Sequence, residues 1–64
     1  MNRVKQYFGD VEIIKKKLDM GELDSLKIIM REDGSVTIYD YYELNWHIRK
    51  GFDTMSEYIS WLEE

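Results

Sequence analysis

The sequence predicts a small α+β domain, with helices packed on one face of a short antiparallel sheet. Three observations lead there. Apolar residues recur at helical spacing near both ends of the chain. Two runs rich in β-branched residues flank Asp33-Gly34. With 44% hydrophobic and 14% aromatic residues in 64 positions, there is enough apolar material for one core. The expected order is helix – β-hairpin – helix – helix, over a single domain, 1–64.

The first helix is placed at 3–19. Val4, Tyr7, Phe8, Val11, Ile14 and Leu18 share one face at about 100° per residue. Gly9 falls on the opposite face. Asp10 offers an alternative N-cap, with a short extended segment before it. Lys15, Lys16 and Lys17 suit the negative end of the helix dipole, and Gly21 is the expected stop.

The hairpin is placed at 26–31 and 35–39, and its register can be argued. A two-residue Asp33-Gly34 turn would pair Ile28 with Tyr39 and mix polar and apolar residues on each face. A three-residue loop, Glu32-Asp33-Gly34 with Gly34 left-handed, pairs Met30 with Val36 and Ile28 with Ile38. Leu26, Ile28, Met30, Val36 and Ile38 then share one face, and Lys27, Ile29, Arg31, Ser35, Thr37 and Tyr39 share the other. A one-residue slip reverses every side chain, so the second register is preferred.

The third element is read as a helix over 41–50. Asp40 and Glu43 have capping-box spacing, Arg49 and Lys50 fall in the last turn, and Gly51 is a C′ candidate. Tyr41, Leu44 and Ile48 would share its buried face. A competing reading continues Tyr39 to Trp46 as a third strand, because Tyr and Trp favour sheets. The last helix, 55–63, opens with the capping box Thr54-Met55-Ser56-Glu57 and carries the stripe Met55, Tyr58, Ile59 and Leu62.

Composition excludes several classes of chemistry. There is no Cys for a disulfide, a thiolate nucleophile or a zinc ribbon, and one His cannot supply a multi-histidine metal site. Asp40, Glu43 and His47 would cluster on the third helix, but a capping role already explains the two acids. No phosphate-binding glycine loop or triad is present. The expectation is a protein with no catalysis and no cofactor. No apolar run approaches the roughly 18 residues of a membrane span, and the opening Met1-Asn2-Arg3 has no signal-peptide pattern. The Cys-free, Pro-free composition suggests a cytoplasmic protein.

Charge is uneven. Nine basic residues stand against 13 acidic ones, a net charge of -4. The basic ones gather in 1–18 (Arg3, Lys5, Lys15, Lys16, Lys17), while Asp53, Glu57, Glu63 and Glu64 make the C-terminal part acidic. Direct nucleic-acid binding is disfavoured, because the three consecutive lysines fan around a helix and the chain as a whole is acidic.

The leading functional expectation is a small protein-interaction module, an inhibitor or adaptor. On a third helix, Tyr42 and Trp46 are i, i+4 and Arg49 follows at i+3, away from the buried stripe. Tyr39 adds an aromatic on the outer hairpin face. These are the residue types most enriched in binding hot spots. The competing structural reading places Trp46 in the core. Two further expectations are an acidic nucleic-acid mimic using Asp53, Glu57, Glu63 and Glu64, and a homodimer burying the outer aromatic stripe. In size, charge and element order alone, such a chain is similar to some anti-CRISPR proteins that phages and mobile elements direct at their hosts.

Overall fold

The computed structural model describes residues 11–21 and 25–64. The elements are α1 (Val11–Lys17), β1 (Ser25–Met30), β2 (Val36–Tyr42), β3 (Asn45–Phe52) and α2 (Met55–Glu63). The three strands form an antiparallel meander in the order β1-β2-β3. The domain is α+β as expected, but the described elements are two helices and three strands.

The register of the first hairpin follows the burial argument. Ile28 pairs with Ile38 and Met30 with Val36. Arg31 N–H donates to Ser35 O, and Gly34 N–H donates to Arg31 O. Three residues therefore close the loop, and Gly34 takes φ +94, where glycine has no steric penalty. Asp33 Oδ1 accepts from both the backbone N–H (2.9 Å) and the hydroxyl (2.7 Å) of Ser35. Those two bonds, with a smaller contribution from the Arg31 charge, hold the Asp33 carboxyl below its ordinary pKa.

Five expectations need correction or restriction. Of the helix expected at 3–19, α1 accounts for Val11–Lys17, and the first ten residues lie outside the described residues. Its stop is Asp19, not Gly21. Asp19 takes φ +57, Met20 N–H reaches back to Lys15 O, and Asp19 N–H reaches Lys16 O. This is a Schellman closure with Asp in the position glycine usually holds.

The helix expected over 41–50 does not form. Tyr41 and Tyr42 finish β2, Glu43-Leu44 make a turn, and β3 runs through to Phe52, with Gly51 opposite Thr37. The competing reading, Tyr39 to Trp46 as one third strand, is right only in choosing strand over helix, since the turn divides that segment between β2 and β3. Tyr, Trp and Ile at alternating positions gain cross-strand partners that an isolated helical turn would not offer. The element order behind the likeness to anti-CRISPR proteins is therefore not the one observed. In the last helix, Thr54 caps α2 by accepting from Glu57 N–H as expected, but Ile59 is exposed and Trp61 packs inward in its place.

Both helices lie on the same face of the sheet. Ile14 of α1, Val36 and Ile38 of β2 and Tyr58 of α2 form the fully buried centre. Leu18, Leu26, Ile28, Met30, Phe52, Met55, Trp61 and Leu62 surround it. Phe52 meets Tyr58 edge-on at 5.3 Å and Trp61 at 5.2 Å. Lys17 ties the two helices together: its ammonium lies 5.6 Å from the Trp61 ring and donates to Glu64 O.

A bulge in β3 shapes the rest. Ile38 pairs with Lys50 but Tyr39 pairs with Ile48, which leaves Arg49 as the extra residue. Arg49 consequently points to the helix side. Its Nη1 donates to Asp40 Oδ2 at 3.1 Å, and its Nη2 donates to Leu18 O at 2.7 Å. Asp40 is only 5% exposed, so this is a buried carboxylate neutralised by a cation that also fastens the end of α1 to the sheet.

Candidate functional site

Strand alternation decides which side chains the sheet sends away from the helices. The pairing places Lys27 and Ile29 of β1, Thr37, Tyr39 and Tyr41 of β2, and Trp46 and Ile48 of β3 on the open face. None of the described elements covers it. Ile48 is 68% exposed, Tyr41 42% and Trp46 36%. Trp46 is opposite Tyr41, with ring centroids 5.1 Å apart in an edge-to-face contact. The Lys27 ammonium lies 4.3 Å from the Trp46 ring centroid and 5.3 Å from that of Tyr39. Arg31 lies flat along the same face. Its Nη1 donates to Thr37 Oγ1 at 2.8 Å and its Nη2 to Tyr39 Oη at 3.1 Å.

The β2–β3 turn projects beyond this face. Tyr42 pairs with Asn45, so Glu43 and Leu44 alone make the turn, at φ 53 and 65. Positive φ at both central positions is the signature of a type I′ turn, which favours Asn-Gly. Leu44 therefore holds a left-handed backbone conformation that costs about 1–2 kcal/mol for an L-residue, while its side chain is 90% exposed. Neither local geometry nor burial in the fold accounts for a leucine there.

The sequence-predicted binding residues separate into two groups. Trp46 and Tyr39 do share a face, though it is a sheet face and not a helix face. Tyr42 and Arg49 are elsewhere. Tyr42 lies on the helix side of the sheet, its ring stacked on His47 at 3.9 Å. Arg49 is committed to Asp40 and the end of α1. Helical spacing grouped Tyr42, Trp46 and Arg49, and strand alternation with a bulge separates them. Tyr41, Ile48 and Leu44 were missed as surface residues, and Lys27, though placed on the outer hairpin face, was not grouped with the aromatics. The period-two pattern of Tyr39 and Tyr41 with Trp46 and Ile48 was the available signal.

The acidic residues are dispersed. Glu57 Oε1 accepts from Asp53 N–H while Glu57 N–H donates to Thr54 Oγ1, so one of the four carboxylates, that of Glu57, completes the start of α2. Glu63 and Glu64 lie at its other end, roughly 13 Å away for nine residues of helix. Asp40, Glu43 and His47 do not form a metal centre. Asp40 is paired with Arg49, Glu43 is in the turn, and His47 Nε2 lies 3.0 Å from Tyr42 O. Among the described residues no group of three metal-ligating side chains converges. No helix among them is long and apolar enough to cross a membrane. Comparison with protein families, with curated proteins and with solved structures finds no match.

Proposed function

We propose that the chain is a small non-catalytic protein-interaction module whose contact surface is the open face of the sheet, with Leu44 at its tip. The observation that carries the reading is the contrast between the two sides of one sheet. One side is covered by two helices, and the other presents Tyr39, Tyr41, Trp46 and Ile48 together with no covering element among the described residues. Large aromatics and an arginine, with little else charged, make up the composition of interface centres. Leu44 adds an apolar side chain held out on a strained turn, where a partner pocket is the environment that would reward it. Acidic mimicry has less support, because the Glu57 carboxylate already serves the α2 cap and Glu63 and Glu64 lie at the other end of that helix.

The test compares three variants as bait for a partner. Trp46→Arg and Leu44→Asp should each lose a protein that the wild type retains, and Ser60→Arg on the exposed side of α2 should keep it. Circular dichroism checks that all three remain folded. Capture that survives Trp46→Arg and disappears with Ser60→Arg would move the interface to α2 and reject the reading. Acrylamide quenching supplies a partner-free check: Trp46 should be quenched more readily than the half-buried Trp61.

A further inference from the structure

We infer that the open face recognises an acidic segment of its partner, with a carboxylate seated beside Tyr39 between Arg31 and Lys27 and an apolar side chain on Trp46, Tyr41 and Ile48. This rests on the reading of the face as a docking surface and specifies what docks there. The first ground is charge segregation. The chain has 13 acidic residues, yet none of the strand positions on the open face carries a carboxylate. Both charged residues that lie along it, Lys27 and Arg31, are cations. The second ground is convergence. Arg31 bonds the phenol oxygen of Tyr39, and Lys27 lies over the ring of the same tyrosine. Two cations are thus held around one side chain.

The third ground is pre-organisation. The Arg31 guanidinium is fixed by Thr37 and Tyr39, which use two of its five N–H donors. No carboxylate among the described residues forms an ion pair with it. The nearby Asp33 carboxyl feels the Arg31 charge but makes no ion pair with it and gives its Oδ1 to Ser35. An arginine held in place with donors to spare suits the forked geometry of a carboxylate. Other occupants fit less well. Two copies placed face to face would bring these cations together with no acid on the face to neutralise them. A nucleic-acid strand would find two cations on an otherwise acidic chain.

A phage-displayed library of random peptides, panned on the intact chain, tests this directly. Selected peptides should be enriched in Asp or Glu near an aromatic or aliphatic residue, and rising salt should weaken them. Arg31→Gln and Lys27→Gln should each reduce their affinity by about tenfold, and Arg31→Lys should recover only part of the loss. Arg31 is exposed and Lys27 half-buried, and circular dichroism verifies that the variants fold.

The outcomes separate the two claims. Peptides without acidic residues, insensitive to Arg31→Gln but lost with Trp46→Ala, would overturn the charge preference and leave the docking face standing. Peptides insensitive to Trp46→Ala, or no selected peptides at all, would reject both. Tighter binding of oligothymidylate or of phosphoserine peptides than of acidic peptides would overturn the carboxylate assignment. A doubled mass in sedimentation, with the face protected from quenching, would identify a second copy as the occupant and also overturn it.

Discussion

The two hairpins of this sheet share β2 but are closed in opposite ways. Between β1 and β2 the loop chemistry and the backbone agree: Gly34 takes the positive φ, and Asp33 bonds Ser35. Between β2 and β3 they disagree, since Glu43 and Leu44 hold positive φ without a glycine or asparagine to ease it. What holds the second hairpin is therefore its legs. Asp40 pairs with Arg49, Tyr41 with Trp46, and Tyr42 stacks on His47. The first hairpin is closed by its turn, and the second imposes its turn. Strain that the rest of a fold sustains tends to mark functional positions, which is where the exposed Leu44 is found.

The largest expected effect comes from removing the strongest of those legs. Arg49→Ala leaves the buried Asp40 carboxylate uncompensated and frees the end of α1. A fully buried pair would lose 3–5 kcal/mol, and with Arg49 partly exposed the expectation is about 2–3 kcal/mol. That is a large fraction of the stability of a domain this small. Urea unfolding measures it. A loss below about 0.5 kcal/mol would mean that the aromatic pairs hold the hairpin without the ion pair.

Next is the turn itself. Replacing Glu43-Leu44 by Asn-Gly should stabilise the fold by roughly 1–2 kcal/mol, because two left-handed residues are exchanged for types that accept the conformation. At this chain length that corresponds to a rise of several degrees in Tm. The same variant should weaken partner binding. A variant that is more stable and still binds normally would remove Leu44 from the interface.

Gly34→Ala is the mirror experiment on the other hairpin. No atom lies within 4 Å of the position a Cβ would take, so the cost is backbone conformation alone. About 1 kcal/mol of destabilisation is expected, read as a shift in the urea midpoint with unchanged slope. No effect would mean that the first turn, like the second, is imposed by its strands.

The difference between the hairpins also explains what could be read from the sequence. The first hairpin, its register and the cap of α2 were legible because turn and cap chemistry is local: Asp33-Gly34 and Thr54 with Glu57 do the same thing in any context. The second hairpin was not. Asp40 and Glu43 have capping-box spacing but serve a buried ion pair and a turn, and Glu43-Leu44 carries no turn signal. Only the contacts across β2 and β3, Asp40 with Arg49, Tyr41 with Trp46 and Tyr42 with His47, make a hairpin of it, and those contacts are tertiary. The same error carried into the site. Trp46 and Tyr39 do share an exposed face, but grouping by helical spacing kept Tyr42 and Arg49 with them and left out Tyr41 and Ile48.

The smallest effect separates the two turns by pH. Asp33 has a folded-state pKa lowered from 3.8 by its bonds to Ser35. A depressed carboxylate pKa contributes stability above its unfolded value, and that contribution is lost as pH falls through the folded value. Asp33→Asn retains an acceptor for the turn but does not titrate. The wild type should therefore be slightly more stable than Asp33→Asn near neutral pH, with the gap closing as pH drops below about 4. The residue is fully solvent-exposed, so the gap is small and is best read as a difference in Tm between paired samples. In the Asn-Gly variant of the second turn the same gap should persist, since neither replaced residue touches Asp33. A gap that stays constant down to pH 2.5 would mean that the Ser35 bonds do not depend on the charge. Closure of the first hairpin would then rest on Gly34 and on Ser35 hydrogen bonds that a neutral side chain accepts equally well.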